Sequence, residues 1–146
     1  MYRAVLSEYD RSDIAIMCAA VADYAPETVS DVKLKRTGED RILRLRPNPD
    51  IAAELGRRKR PGQCLVGFAL ETNDEEMNAR LKMEKKNLDF IVLNSLRDAG
   101  AGFQCDTNKV TVIGKQGDPV EIPCKPKIEV AADIVDIIGR YVSEDR

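Results

Sequence analysis

Several residues in this chain have types and spacings suited to handling a phosphate or a nucleotide. Lys33 lies in the run Lys33-Leu-Lys-Arg36, within a polar stretch of loop composition. A lysine on a mobile loop can close over an anion and offset charge that grows in a transition state. Lys82 and Lys86 are four residues apart in a helical pattern, so they share a face and can aim two ammonium groups at one polyphosphate. Asp23 closes an apolar run, where its carboxylate could accept from a base, a ribose or a metal-bound water. Phe68 follows Gly67 near the end of another apolar run, which suits a ring stacked on a nucleobase with the backbone approaching closely. Asn48-Pro-Asp-Ile51 opens a helix and points unpaired N–H groups forward, a natural contact for an anion or a base edge. Each residue also has an ordinary reading. Asp23 can end a strand in a turn, the lysines can guard an edge strand or cover a solvated helix face, and Phe68 can belong to the core.

Composition narrows the chemistry. The chain has 146 residues, 43% hydrophobic and 33% charged, as expected of one globular domain able to bury a core. Histidine is absent, which removes His-based triads, His acid–base chemistry and most catalytic zinc sites. The net charge of −2 gives no global basic field for nucleic acid or an acidic membrane, so any phosphate affinity must come from local lysines. The four cysteines, Cys18, Cys64, Cys105 and Cys124, lack the close spacing of a zinc or redox motif, and they read as reduced thiols of a cytoplasmic protein. No apolar stretch reaches membrane-spanning length, and the N-terminus lacks a signal-peptide pattern.

The elements that must position these residues follow from periodicity. Ile14–Ala22 is almost wholly apolar and predicts a strand covered on both faces. Cys64–Leu70 and Phe90–Leu93, the latter introduced by Asp89, repeat that pattern. Met1–Tyr9 reads as a helix. Asn48 predicts a cap, Pro49 a first helical position, and Ile51–Leu55 the body of a helix ending before Pro61. Another helix spans about Asp74–Asn87, with Met77, Leu81 and Leu88 on its apolar stripe. A last one spans about Lys127–Val142, with Ile128, Ala131, Ile134, Val135, Ile138 and Val142 inward. Two hairpins are expected, Val32–Arg36 with Arg41–Arg46 and Lys109–Ile113 with Val120–Ile122. Strands alternating with helices predict an α/β fold: a Rossmann-like, open, mostly parallel sheet with helices on both faces and antiparallel hairpin additions. Ligands of such sheets lie beyond the carboxyl ends of the strands. The glycine fingerprint GxGxxG is missing, so a dinucleotide redox cofactor is not indicated.

The order of the motifs is more specific than any one of them. The chain reads AAVADY, a lysine ten residues after Asp23 within KLKR, NPDI, VGFALET, a helix carrying K-x3-K-N-L-D, IVLN, and GF-x-x-D-x-N-x-V. This series resembles phosphopantothenate–cysteine ligase from about Ser12 to the C-terminus. In bacteria that domain is often the C-terminal half of a bifunctional flavoprotein of coenzyme A biosynthesis. The resemblance implies joining of 4′-phosphopantothenate to cysteine. CTP would activate the carboxylate as an acyl-cytidylate, with Mg²⁺ accompanying the triphosphate. It implies nucleotide contacts from Met17, Cys18, Ala19 and Asp23, a base pocket lined by Pro49, Asp50, Ile51 and Ala52, and packing from Phe68. Phosphate contacts would come from Lys82 and Lys86, and a catalytic flap from Lys33. The resemblance leaves unknown which residues would hold the metal. It further implies a homodimer, with the Lys109–Ile122 hairpin as part of the interface, and an upstream flavin-dependent decarboxylase domain, with no flavin in this chain itself. The family's opening strand, glycine-rich turn and asparagine-bearing loop have no counterpart here, so the expectation is a single domain over residues 1–146 that carries the nucleotide portion. The contrasting expectation is a non-catalytic nucleotide-binding or scaffold domain of the same fold.

Overall fold

Two strands at the centre of the molecule set the architecture. In the computed structural model, which describes residues 1–71, 73–95 and 105–144, β4 (Cys64–Glu71) and β5 (Phe90–Ser95) pair in parallel with Val66 opposite Phe90. Successive side chains of a strand point to opposite faces. Leu65, Ala69, Ile91 and Leu93 therefore build one core, while Cys64, Val66, Phe90 and Val92 build another. The first is covered by α1 (Tyr2–Tyr9), α2 (Ile51–Arg58) and α3 (Glu75–Lys85) through Tyr9, Ile51, Leu55, Ala79 and Met83. The second is covered by α4 (Lys127–Glu144) through Val130, Ile134 and Ile138. The edge of the Phe90 ring meets Tyr141 of α4 at right angles, with centroids 4.9 Å apart.

The sheet order is β1-β4-β5-β6-β7, with β1 Ile14–Met17, β6 Thr107–Gly114 and β7 Val120–Pro126. β1, β4 and β5 are parallel, and the hairpin β6–β7 extends the sheet antiparallel. This is the α/β sheet with hairpin additions that the alternation predicted, helices on both faces included.

The chain separates into two units, Met1–Cys18 with Ile51–Arg146, and Ala19–Asp50. The second holds a small antiparallel pair, β2 (Tyr24–Pro26) with β3 (Leu45–Pro47), and none of its residues is buried.

Several local expectations are corrected. The first strand ends at Met17, well short of Ala22, and lies at the sheet's edge with Ile14 and Ile16 exposed. The apolar residues past Met17 are mostly small alanines that bring too little area to hold a strand in the core. The first hairpin pairs Tyr24–Pro26 with Leu45–Pro47, and Val32–Arg36 forms no strand. In α3 the inward residues are Ala79 and Met83, while Met77 and Leu81 are more than half exposed. In α4, Ile134 and Ile138 are inward as expected, but Ile128 and Val135 face out, and Val130 takes the inner position. Asn48 does not cap α2, which begins at Ile51; its side-chain amide donates to the Ala22 carbonyl (2.8 Å) instead. The hairpin expected from Lys109 to Ile122 is present and longer than predicted. The Gly102-Phe103 pair of the last motif lies outside the described residues.

Candidate functional site at the carboxyl edge of the sheet

The parallel strands β1 and β4 end side by side, with Met17 opposite Gly67. Met17 is half-buried and Cys18, just beyond it, is exposed. Phe68 is next along β4, half-buried against the α4-side core. β4 runs three residues past Phe68 to Glu71, and there the Lys82 ammonium of α3 donates to Glu71 Oε1 at 2.5 Å. The Glu71 side chain is 14% exposed and that of Lys82 47%, so a largely buried carboxylate holds a half-open cation at the strand end. α2 leads from residue 51 back toward the amino end of β4, so its first turn, with Ile51 buried and Ala52 half-buried, belongs to this same edge. Ile51 packs with Leu55 in the core, which leaves backbone N–H groups as what the first turn can offer a ligand.

Lys86 sits one helical turn beyond Lys82, at the C-cap of α3, where its amide donates to the Lys82 carbonyl (3.0 Å). Its backbone is wedged against α2: a Cβ on Gly56 would meet the Lys86 carbonyl oxygen at 1.8 Å. Lys86 lies past the end of the helix, beside Gly56 of α2 and next to Asn87, so its backbone is toward the amino ends of β4 and β5 while Lys82 is paired at the carboxyl end of β4. Gly67 corrects one expectation. A Cβ there would meet Leu88 Cδ1 at 2.6 Å, so this glycine makes room for Leu88 of the core.

In the Ala19–Asp50 unit, two motifs far apart in sequence meet. The Asn48 amide donates to the Asp23 carbonyl (2.7 Å) while its side chain donates to Ala22, tying the end of AAVADY to the start of NPDI. Asp23, Pro49 and Asp50 thereby share the neck of one hairpin, and Ala19 begins the unit. Lys33 is exposed on the segment between β2 and β3, outside any helix or strand.

Two residues outside the sequence-based set belong with the strand ends. Glu71 pairs with Lys82, and Asn94 Oδ1 on β5 accepts from Asn108 Nδ2 of β6 (2.8 Å). Glu71 stood in the motif VGFALET as a polar residue closing an apolar run, the same signal that singled out Asp23.

Fold and strand-end residues together define an open α/β-sheet domain with polar side chains at the carboxyl end of β4, the class in which ligands meet the carboxyl ends of strands. The chain belongs to the family described as the DNA/pantothenate metabolism flavoprotein C-terminal domain, whose pattern matches residues 1–141. It is 49% identical over 139 residues to the coenzyme A biosynthesis bifunctional protein CoaBC of Bacillus subtilis (strain 168), covering 95% of this chain and 34% of that protein. It is 53% identical over 135 residues to a cysteine/cysteine sulfinic acid decarboxylase of an unknown prokaryotic organism, covering 92% of this chain and 38% of that one. Its fold matches a crystal structure of the C-terminal domain of CoaBC with a TM-score of 0.77 and 34% identity, over 98% of this chain and 61% of that one. The chain thus spans about a third of the length of the full relatives it matches.

Proposed function

We propose that this chain carries the nucleotide-handling part of a phosphopantothenate–cysteine ligase. What supports the reading is that Met17, Phe68 and Lys82 each lie toward the carboxyl ends of the parallel strands, Phe68 on the α4 face and Met17 and Lys82 on the other, in a chain of this family. The likeness to CoaBC supports coenzyme A biosynthesis as the pathway. CTP is the co-substrate in this reading. The carboxylate of 4′-phosphopantothenate attacks the α-phosphorus, giving the acyl-cytidylate and pyrophosphate. The amine of cysteine then attacks the acyl carbon, giving the amide and CMP.

The substrate carboxylate is itself the nucleophile, so the chain needs no histidine base. What it must supply is positive charge around a phosphorus already surrounded by anionic oxygens. Lys82 and Lys86 hold the phosphates. Lys82 can swing from Glu71 to a phosphate oxygen, because it is half exposed. The backbone from Met17 to Ala19, Asp23, and the Pro49–Ala52 turn receive the cytidine, with Phe68 beside it. Lys33, exposed on its segment, closes during the chemical step.

Among the described residues no group of three His, Cys, Asp or Glu side chains is placed to hold a metal ion. In this reading a Mg²⁺ accompanies the triphosphate, where it would neutralise charge on the phosphates.

A homodimer and an upstream decarboxylase domain belong to the same reading. The hairpin β6–β7 presents Val120 at the sheet edge, and the Ala19–Asp50 unit exposes Val29, Val32 and Ile42 at 87%, 73% and 91%. That apolar area on a unit without a buried residue calls for a cover.

Calorimetric titration with CTP and with ATP in Mg²⁺ tests the reading. Saturable CTP binding that weakens in Lys82→Ala is the expected result. Absence of nucleotide binding at millimolar concentration overturns it in favour of a scaffold domain.

A further inference from the structure

The amino ends of β4 and β5 carry a second polar cluster, at the sheet edge opposite to Phe68 and Lys82. Asp89, immediately before β5, is 7% exposed. Its Oδ2 accepts from the Leu65 amide (2.8 Å), and its Oδ1 accepts from two ammonium groups, Lys59 at 2.7 Å and Lys115 at 3.0 Å. The same pair engages Asn87: Lys59 donates to its carbonyl (2.7 Å) and Lys115 to its Oδ1 (3.1 Å). Arg60 lies alongside, its guanidinium donating to the backbone carbonyl of Asp10. These groups line a cleft of about 220 Å³ together with Gln63 and Tyr141.

Three cations line this cleft against one carboxylate, Asp89, so the lining side chains sum to +2. The Lys59 side chain is only 10% exposed, and burial lowers its basicity. Of the three cations Lys59 is the buried one, and a buried charge is costly unless opposite charge surrounds it. Each ammonium has three N–H groups, and Lys59 and Lys115 each use two on Asp89 and Asn87. One N–H of each is left over at the cleft, beside the guanidinium of Arg60. The Tyr9 hydroxyl, buried among α1-side residues and within electrostatic reach of Asp89 and Arg60, also has no partner among the described residues.

We propose that this cleft is an anion site for a phosphate group, held by Lys59, Arg60 and Lys115, and distinct from the carboxyl edge. A dianion matches the +2 lining, and charge-assisted hydrogen bonds from ammonium and guanidinium groups are the strong ones. The bound phosphate bridges the loop after α2 and the turn after β6, so its occupancy tightens the amino ends of β4 and β5. The same chemistry is offered by inorganic phosphate and by a small phosphomonoester.

The test is a titration of the ¹⁵N-labelled protein followed by amide resonances, with sodium phosphate replacing sodium chloride at constant ionic strength. The amides of Gln63, Leu65, Asp89 and Lys115 should shift saturably. Lys115 is half exposed, so Lys115→Gln should fold while weakening the apparent dissociation constant by about tenfold. Lys82→Gln, at the opposite edge, should leave that constant unchanged, which separates this site from the proposed nucleotide crevice. Glycerol phosphate distinguishes the sources: tighter binding than inorganic phosphate assigns the site to a phosphomonoester, and equal or weaker binding assigns it to the free ion. Shifts confined to the Lys82 edge, shifts reproduced by chloride, or a titration identical in Lys115→Gln would each overturn the proposal.

Discussion

The ammonium of Lys82 is paired with Glu71, across the gap between the end of β4 and the second turn of α3. The pair is asymmetric: the carboxylate is mostly covered and the lysine is half in solvent. A phosphate arriving at the strand ends must compete with Glu71 for that lysine.

Replacing Glu71 by Gln removes the competitor while keeping the shape. An ion pair with one exposed partner contributes about 0.2–1 kcal/mol, so Glu71→Gln should tighten triphosphate binding by up to about fivefold. Lys82→Ala should weaken it by about tenfold or more. Calorimetry on both variants checks this, and weaker binding in Glu71→Gln would show that the carboxylate positions Lys82 instead of opposing the ligand.

In the proposed reading Lys33 serves the chemical step and not nucleotide binding. In the intact ligase, Lys33→Gln should leave the CTP dissociation constant nearly unchanged and lower kcat by about 10²–10³, the cost of losing one transition-state donor. Parallel losses in both would make it a ground-state contact.

Gly56 is required by the packing of α2 on the end of α3. A methyl group there would sit 1.8 Å from the Lys86 carbonyl oxygen, a backbone atom that cannot step aside. Gly56→Ala should destabilise the protein by about 3 kcal/mol, at the top of the overpacking range or beyond it. Gly67→Ala meets the flexible end of Leu88 and should cost less. Chemical denaturation of the two variants gives the order.

Asp89 governs the acid limb of stability. Burial pushes its carboxyl up, but hydrogen bonds from Lys59, the Leu65 amide and Lys115 outweigh that and hold it below the ordinary carboxylate range. A carboxyl with a depressed folded-state pKa contributes stability that is present above its unfolded value of about 3.9 and is lost as pH falls through the folded value. Asp89→Asn should therefore flatten the fall in stability below about pH 4 and lower stability at neutral pH by about 3–5 kcal/mol. Denaturation at a series of pH values reads both effects.

The thiols should differ in reactivity. Burial raises the Cys64 thiol to about 11, with Asp89 adding to the effect, whereas Cys18 and Cys124 are exposed. At neutral pH a thiol reagent should modify Cys18 and Cys124 first and Cys64 last, at the rate of unfolding. Rapid loss of Cys64 would contradict the packing of β4.

The central strands were legible because a strand buried on both faces must be apolar throughout, and Cys64–Leu70 and Phe90–Leu93 are. The helices were legible from their period, but the inward face of α3 was not. Met77 with Leu81, and Ala79 with Met83, satisfy the same four-residue spacing. Only the neighbouring strands choose between them, and they select the pair whose small Ala79 lets the helix approach closely. Asn48 misled because an Asn before Pro suits a cap, while its amide serves equally well to tie Ala22 and Asp23. The Lys82–Glu71 pair obeys no local spacing rule: it joins a strand end to a helix eleven residues on, and becomes visible only when β4 proves longer than its apolar run.

A crystal structure with CTP and Mg²⁺ bound tests the central claim most directly. The expected density has the triphosphate against Lys82 and Lys86, with Lys82 released from Glu71, and the cytidine in contact with Phe68. Electron density for the nucleotide on any other surface, with the Lys82–Glu71 pair intact, would contradict it.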